Sequence, residues 1–394
     1  MSNHIIAYNL PELEKKIVLS EAENLYKSKV VSEEQWHKIQ EVFATKLYTP
    51  AIFMRILLFI FSLVGMLTIM GPFGLIFGDI GEYGYRFLTF ILGCSLLFLT
   101  DHLLIKGKFH YKSGVTEAGI YAGLLFIGFA VLGGESHHEL VYLLVGFLLA
   151  AFAAIRYLNL TALAITIGFF GGILFQILMD IGGVAQALMP FIFMISFALI
   201  YWGSKELELK LSKVYLNNQL SIIQTISLVL IYVAGNYFVV RELSIKLLDL
   251  TLAENQDIPF AFVFYGFTAL IPIVYIYWGL KQKSVMFIRV ALLTLALSVI
   301  TLKYYFSLGM PIVTITVSGA ILIISALLFL NYLKQIRHGY TREKLLNDKW
   351  SSPDLMAFIA SQTLVGQQVQ GSDGNNDPIP GGGSFGGAGA GGNW

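Results

Sequence analysis

The side chains best suited to chemistry in this chain gather near the ends of its apolar runs: Asp101 and His102, Glu117, Arg156 and Arg289. An ionisable group placed in a bilayer costs several kcal/mol, so residues of this kind mark either function or anchoring. Arg289 falls about one helical turn inside its run, within snorkelling reach of lipid headgroups. Paired with Asp101 or Glu117, and with His102 beside them, it would complete a polar patch at the inner mouth of a helical bundle. Structural anchoring and headgroup contact is the plainer use of the same residues. The deepest strongly polar side chains are uncharged: Gln176, Gln224 and Asn236. Amides at such depth are satisfied by hydrogen bonds between helices.

Other chemistries find little support. The stretch Glu135-Ser136-His137-His138-Glu139 holds groups that zinc or copper accepts. Adjacent histidines in a short loop rarely converge on one ion without further ligands, so no metal and no cofactor is expected. The chain has no glycine-rich phosphate loop ending in Lys-Ser/Thr, no His-Glu-x-x-His and no Gly-x-Ser-x-Gly, and an enzyme is not expected. Its one cysteine, Cys94, has no partner for an intramolecular disulfide. The formal net charge of +1 argues against nucleic acid as a partner.

The elements that must position these residues are membrane helices. The chain is 13% charged and 56% hydrophobic, with a mean hydropathy of +0.71, a surface that needs lipid. Apolar runs near 52–78, 86–105, 115–133, 138–156, 159–179, 184–203, 218–240, 259–280, 285–306 and 311–333 match a hydrocarbon core about 30 Å thick. The expectation is an all-α polytopic bundle of about ten spans, with the first run serving as an uncleaved insertion signal. Gly119, Gly123 and Gly128 read as close helix packing.

Lys and Arg sort to alternate loops. Apart from Arg289, inside a run, only Arg86, Arg241, Lys246 and Lys303 fall on one side, and all the rest fall on the other. Basic residues near the membrane are retained in the cytoplasm, which places both termini there. Tyr201-Trp202-Gly203-Ser204-Lys205 and Tyr277-Trp278-Gly279-Leu280-Lys281 both set an aromatic and then a cation at that interface. They echo a duplicated hairpin or a common interfacial pattern.

Flanking segments are shorter. Residues 1–50 read as a cytoplasmic helical hairpin, with helices near 20–28 and 32–46 started by Ser20-Glu21-Ala22-Glu23 and Ser32-Glu33-Glu34-Gln35. After the bundle (51–335) comes a basic, amphipathic segment, 336–370, then a glycine-rich tail, 371–394, too poor in apolar residues to fold alone. Phe385 and the terminal Trp394 are its aromatic residues, suited to docking in a partner's pocket.

The Val31-Ser32-Glu33-Glu34-Gln35 stretch ahead of tightly connected apolar helices resembles a bacterial family of polytopic membrane proteins with an N-terminal domain of unknown function. The tail, Gly381-Gly382-Gly383-Ser384-Phe385-Gly386-Gly387 running to Trp394, is similar to the Trp-ended tails of TPM-domain membrane proteins. The first resemblance implies a bacterial inner membrane and supplies no catalytic residue; the second implies a membrane-protein partner reached through the tail. The apolar spacing of the N-terminal hairpin makes it a further surface for packing on itself or on a partner. Together these readings favour a non-catalytic envelope scaffold, assembly factor or sensor. The alternative is a transporter or flippase for an apolar or lipid-like substrate, which escapes the need for a carboxylate at mid-membrane.

Overall fold

The computed structural model describes residues 5–27, 29–77, 80–133, 138–211, 213–247 and 257–305, with Thr316, Gly319, Ala320, Ile324, Leu327 and Asn331. All belong to one compact unit, Met1–Glu343. The expected tenth span apart from those positions, the 336–370 segment, the tail with Phe385 and Trp394, and Glu135 to His137 lie outside the described residues.

Within that set, eight helices are long and apolar enough to cross a membrane. They are α5 (Glu82–Leu99, continued by a π-helical stretch Thr100–Gly107), α6 (Val115–Leu132), α7 (Glu139–Arg156), α8 (Leu160–Ile181), α9 (Val184–Leu211), α10 (Asn217–Gly235, entered through a 3-10 turn at Val214–Leu216), α12 (Ala261–Lys281) and α13 (Val285–Tyr305). The first apolar run is split into α3 (Ile52–Thr68) and α4 (Met70–Phe77). Pro72 accounts for the break, since it has no N–H to give the carbonyl of Thr68. No strand occurs among the described residues beyond one isolated bridge, Tyr48 to His110.

Consecutive helices pair closely as α5 with α6, α7 with α8, α9 with α10, and α12 with α13, while α10 also meets α8, α12 and α13. Between α5 and α6 the backbones nearly touch: a Cβ on Gly93 would lie 2.7 Å from the Gly123 carbonyl oxygen, and one on Gly119 would lie 2.3 Å from Thr100 Oγ1. With no hydrophobic drive between helices in lipid, such small-residue contact supplies the packing. The outward surface is apolar, with Leu148, Ile181, Ile195, Leu199 and Phe262 all exposed. That distribution is the inverse of a water-soluble protein and suits helices surrounded by lipid.

Helix α9 has 28 residues, about 42 Å at 1.5 Å per residue, and outruns a hydrocarbon core of about 30 Å. Its last turns carry the pairs Lys205–Glu208 and Lys210–Glu206. Loop contacts show that the basic loops share one end of the unit, called here the basic face. Tyr48 donates its backbone N–H to Phe109 and accepts from Tyr111, while Gln219 donates to Leu158. At the opposite end, Arg86 donates to the Ala130 and Val131 carbonyls.

The N-terminal helices differ in extent from the sequence reading. Helix α1 runs Leu10–Lys27, begun by Asn9, whose Oδ1 accepts from Glu12 N at 3.3 Å. Ser20 lies inside it, with its hydroxyl donated to the Ile17 carbonyl, and caps nothing. Helix α2 (Glu33–Val42) starts at Ser32 with both halves of the capping box formed. It stops early because Glu12 draws the chain away: Lys46 N donates to Glu12 Oε2 at 2.8 Å, and Thr45 Oγ1 to the same carboxylate at 3.2 Å. Tyr26 stacks on Trp36, joining the two helices. The segment does not hang free. Leu13 and Leu47 pack with Leu158, and Ala7 and Tyr8 with Ile105, Ala153 and Tyr157.

Candidate functional site

On the basic face the π-helical stretch widens the turn at the end of α5, a distortion often found where a side chain is re-aimed. It buries Asp101, which accepts from Arg156 Nε at 3.0 Å and from Nη2 as well. Arg156 closes α7 and also gives Nη1 to the Ile5 carbonyl at 3.3 Å, while its own carbonyl accepts from Ala7 N at 2.9 Å. One ion pair therefore ties two spans to the N-terminal segment at Ile5 to Ala7. Tyr8 is buried above it, edge-on to Tyr111 at 5.1 Å. Burial, with Glu117 next in weight, holds the Tyr8 hydroxyl well above its ordinary pKa, and Tyr111 is pushed up to about 12 by the same two causes. These phenols stay protonated.

Asp101 and Glu117 are thus brought to the surroundings of Tyr8, but the other expected members are not. The partner of Asp101 is Arg156, and Arg289 stands exposed on α13, whose main contacts are α12 and α10. His102 faces outward, its Nδ1 3.1 Å from the Phe98 carbonyl and its ring stacked on Phe98 at 4.1 Å. Glu117 caps α6, accepting from Gly114 N at 2.8 Å and Thr116 Oγ1 at 2.9 Å. The opposite signs of Asp101 and Arg156, both at basic-face helix ends, were the available cue to their pairing.

The three amides separate as well. Gln176 lies near the opposite end of α8, donating to Asp180 Oδ1 at 3.0 Å. Gln224 is buried near the basic face and donates to Glu208 Oε2 at 3.0 Å. Asn236 sits where the expected 218–240 span breaks, between α10 and α11 (Tyr237–Leu247). Its Nδ2 donates to Tyr232 Oη at 2.8 Å and Thr301 Oγ1 at 3.0 Å, and its Oδ1 accepts from Val239 N. An Asn that offers its own carbonyl to the next amides ends one helix and starts another. The Tyr237 N–H freed at the break goes to Thr268 Oγ1 at 2.9 Å.

That break opens a cavity the sequence reading did not anticipate. Between α8, α9, α10, α11 and the start of α12 lies a space of about 380 Å³, reaching from mid-bundle to the end opposite the basic face. Gly168, Gly171, Phe193, Phe197, Val233 and Phe264 line it, and Gln186 and Ser244 are its polar side chains. A volume of this size falls within the range of about 300–1,000 Å³ typical of small-molecule sites. None of Gln176, Gln224 and Asn236 lines it. Beside it, Tyr237 and Tyr265 stack at 4.0 Å and give their hydroxyls to Asp257 at 2.7 and 3.2 Å, while Arg241 lies over the Tyr305 ring at 4.9 Å. Glu242, its carboxyl lowered chiefly by Lys246, accepts from Tyr305 Oη at 3.2 Å.

Compared with known proteins, the chain matches no family model, no curated protein and no solved structure. Among the described residues no three His, Cys, Asp or Glu side chains converge as a metal centre.

Proposed function

We propose that this is a multi-pass plasma-membrane protein that takes the acyl chain of a membrane lipid into the cavity between α8 and α12 and moves or presents it, with the basic face cytoplasmic and about ten spans in all. The observation that carries the reading is the cavity. It is apolar, bounded by helices whose outer surfaces meet lipid, and continuous with the helix break at Asn236. A water-soluble substrate would meet only Gln186 and Ser244 there, whereas an acyl chain leaves no polar group unpaired. The cluster of Tyr237, Arg241, Asp257 and Tyr265 stands beside the mouth at headgroup level, where amphipathic aromatics belong. An inner-membrane location and a resemblance to bacterial polytopic proteins are part of the same proposal, supported by the layout and the Val31–Gln35 stretch.

The scaffold reading has its own support in α2, which has no buried residue and leaves Val42 exposed for a partner. The Trp394-ended tail belongs with it, and co-purification of membrane partners with and without residues 381–394 tests that part.

Filling the cavity tests the lipid reading. A Cβ on Gly168 meets nothing within 4 Å, and the residue lines the cavity; Gly203 is equally open and lies away from it. In proteoliposomes carrying a fluorescent phospholipid, Gly168→Leu is expected to abolish protein-dependent exchange of the lipid between leaflets and Gly203→Leu to leave it intact. Equal rates for both variants and the native chain would reject the reading.

A further inference from the structure

A second, unlike pocket lies on the basic face, independent of the cavity above. It holds about 340 Å³ among the start of α3, the turn before α6, the end of α7 and the start of α8. Two cations line it, Arg55 from the first turn of α3 and Lys112 from the turn before α6. The Nε of Arg55 is buried and has no hydrogen-bond partner, and the guanidinium's Nη2 reaches only the Pro50 carbonyl, at 3.5 Å. A buried donor left without an acceptor loses the full value of its hydration, so the Arg55 guanidinium that lines this space has hydrogen-bonding capacity unfilled.

The remaining lining supplies further donors. Asn159 caps α8 with its Oδ1, which accepts from Ala162 N at 2.9 Å and Tyr121 Oη at 3.0 Å, so this oxygen is already engaged. The first amides of α8, at Leu160 and Thr161, precede any intrahelical acceptor, and Thr161 adds a hydroxyl to the pocket. Glu117 is the one carboxylate in the lining, and its Oε2 is engaged by Gly114 N and Thr116 Oγ1. Arg55, Lys112 and Glu117 together leave one positive charge, which a group carrying a single negative charge neutralises. Phe59 and Ile56 form an apolar wall that leads from this pocket along α3, whose neighbouring Phe53 and Phe61 are exposed.

We propose that this pocket binds a singly charged phosphate group, and specifically the phosphodiester of an anionic lipid whose chains lie along α3. Arg55 binds through its fork, Lys112 as a point charge, and the start of α8 through its amides. Charge balance favours a phosphodiester, and the pocket's place where apolar helix meets basic loop favours a lipid over free phosphate.

The test uses the full chain in phosphatidylcholine nanodiscs, titrated with phosphatidylglycerol and read by native mass spectrometry. Arg55→Gln is expected to weaken phosphatidylglycerol binding at least tenfold. Lys112 holds left-handed backbone, with φ of +49°, so Lys112→Gly relieves strain while removing the cation. It should weaken binding to a similar degree in a protein that melts no lower than the native chain. Glu117→Gln keeps an acceptor for the α6 cap and removes the opposing charge, so its binding should tighten. Inorganic phosphate at millimolar concentration is expected not to displace the lipid; displacement would overturn the lipid source in favour of free phosphate. Phosphatidylglycerol binding unchanged in Arg55→Gln and in Lys112→Gly would overturn the proposal altogether.

Discussion

Asp101 and Arg156, 55 positions apart, meet as a two-bonded ion pair at the ends of α5 and α7, and the same guanidinium reaches the Ile5 carbonyl. The pair closes the basic face over the spans. Asp101 is almost wholly buried, with 6% of its side chain exposed against 24% for Arg156, so the pair sits where loss of one partner strands the other.

Removal of the carboxylate should therefore loosen both helices and the N-terminal segment ahead of α1. Breaking a buried pair by truncating one partner costs about 3–5 kcal/mol, and the partial exposure of Arg156 places Asp101→Ala near the lower figure. Thermal unfolding in detergent should fall, and tryptic cleavage at Lys15 and Lys16 should speed up. An unchanged melting temperature and cleavage rate would show that the pair does not hold the segment.

Acid should act on the same face through His110. Its ring lies 5.0 Å from Tyr48 and its Nδ1 3.0 Å from Ser113 Oγ, and burial, with Lys108 second, holds its pKa below the ordinary 6.5. The unfolded chain then takes up the proton first as pH falls. The stability gained from keeping this ring neutral is complete above about 6.5 and is lost as pH drops through that value toward the folded pKa. Amide protection at Tyr48 and Tyr111, measured relative to the intrinsic exchange rate at each pH, should fall between pH 7.5 and 5.5, and His110→Asn should flatten that fall. Glu12 has the opposite character: its pKa is lowered, first by the Lys46 amide, so its contribution persists down to about 4.5 and fades below.

Close backbone approach between α5 and α6 makes Gly93 intolerant. Gly93→Ala sets a methyl against the Gly123 carbonyl and should lower stability by about 1–3 kcal/mol, the range for overpacking. Gly266→Ala, with open space around its Cβ, should change little. Equal melting temperatures for the two would contradict this packing.

Asn236→Leu removes the cap of α11 and the bonds to Tyr232 and Thr301, leaving their hydroxyls buried without these acceptors and donors. A loss of about 1–3 kcal/mol follows. Hydrogen exchange should increase first at Tyr237 to Val240. Protection there equal to that of the native chain would mean the break is held by other contacts.

Much of this architecture was legible in the residues. The α6, α7, α12 and α13 bounds fall within a residue or two of the apolar runs that announce them, because their ends coincide with glycines, charges or caps such as Gly133 and Arg156. Helix α9 outran its apolar run because Lys205, Glu206, Glu208 and Lys210 pair along its surface and carry the helix past the hydrophobic region. The break at Asn236 was hidden because Tyr237 to Val240 continue the apolar run, and only Gly235-Asn236 hinted at a turn. Tertiary pairing was less readable. Hydropathy placed Asp101, Arg156 and Arg289 near one face but carried no register between helices, so Arg289 could not be told from Arg156 as a partner. The cavity depends on how five helices splay, which no local pattern encodes.

An acyl chain entering the space between α8 and α12 is the central expectation. The most direct measurement is photocrosslinking in native membranes with a phospholipid bearing a diazirine on its acyl chain, followed by peptide mapping of the labelled residues. Labels are expected on the cavity lining itself, at Gly168, Gly171 and Phe175 of α8 and at Met189, Phe193 and Phe197 of α9, and are expected to be lost in Gly168→Leu. Labels confined to lipid-facing residues such as Ile177, Ile195 and Leu199, unchanged by that substitution, would contradict it.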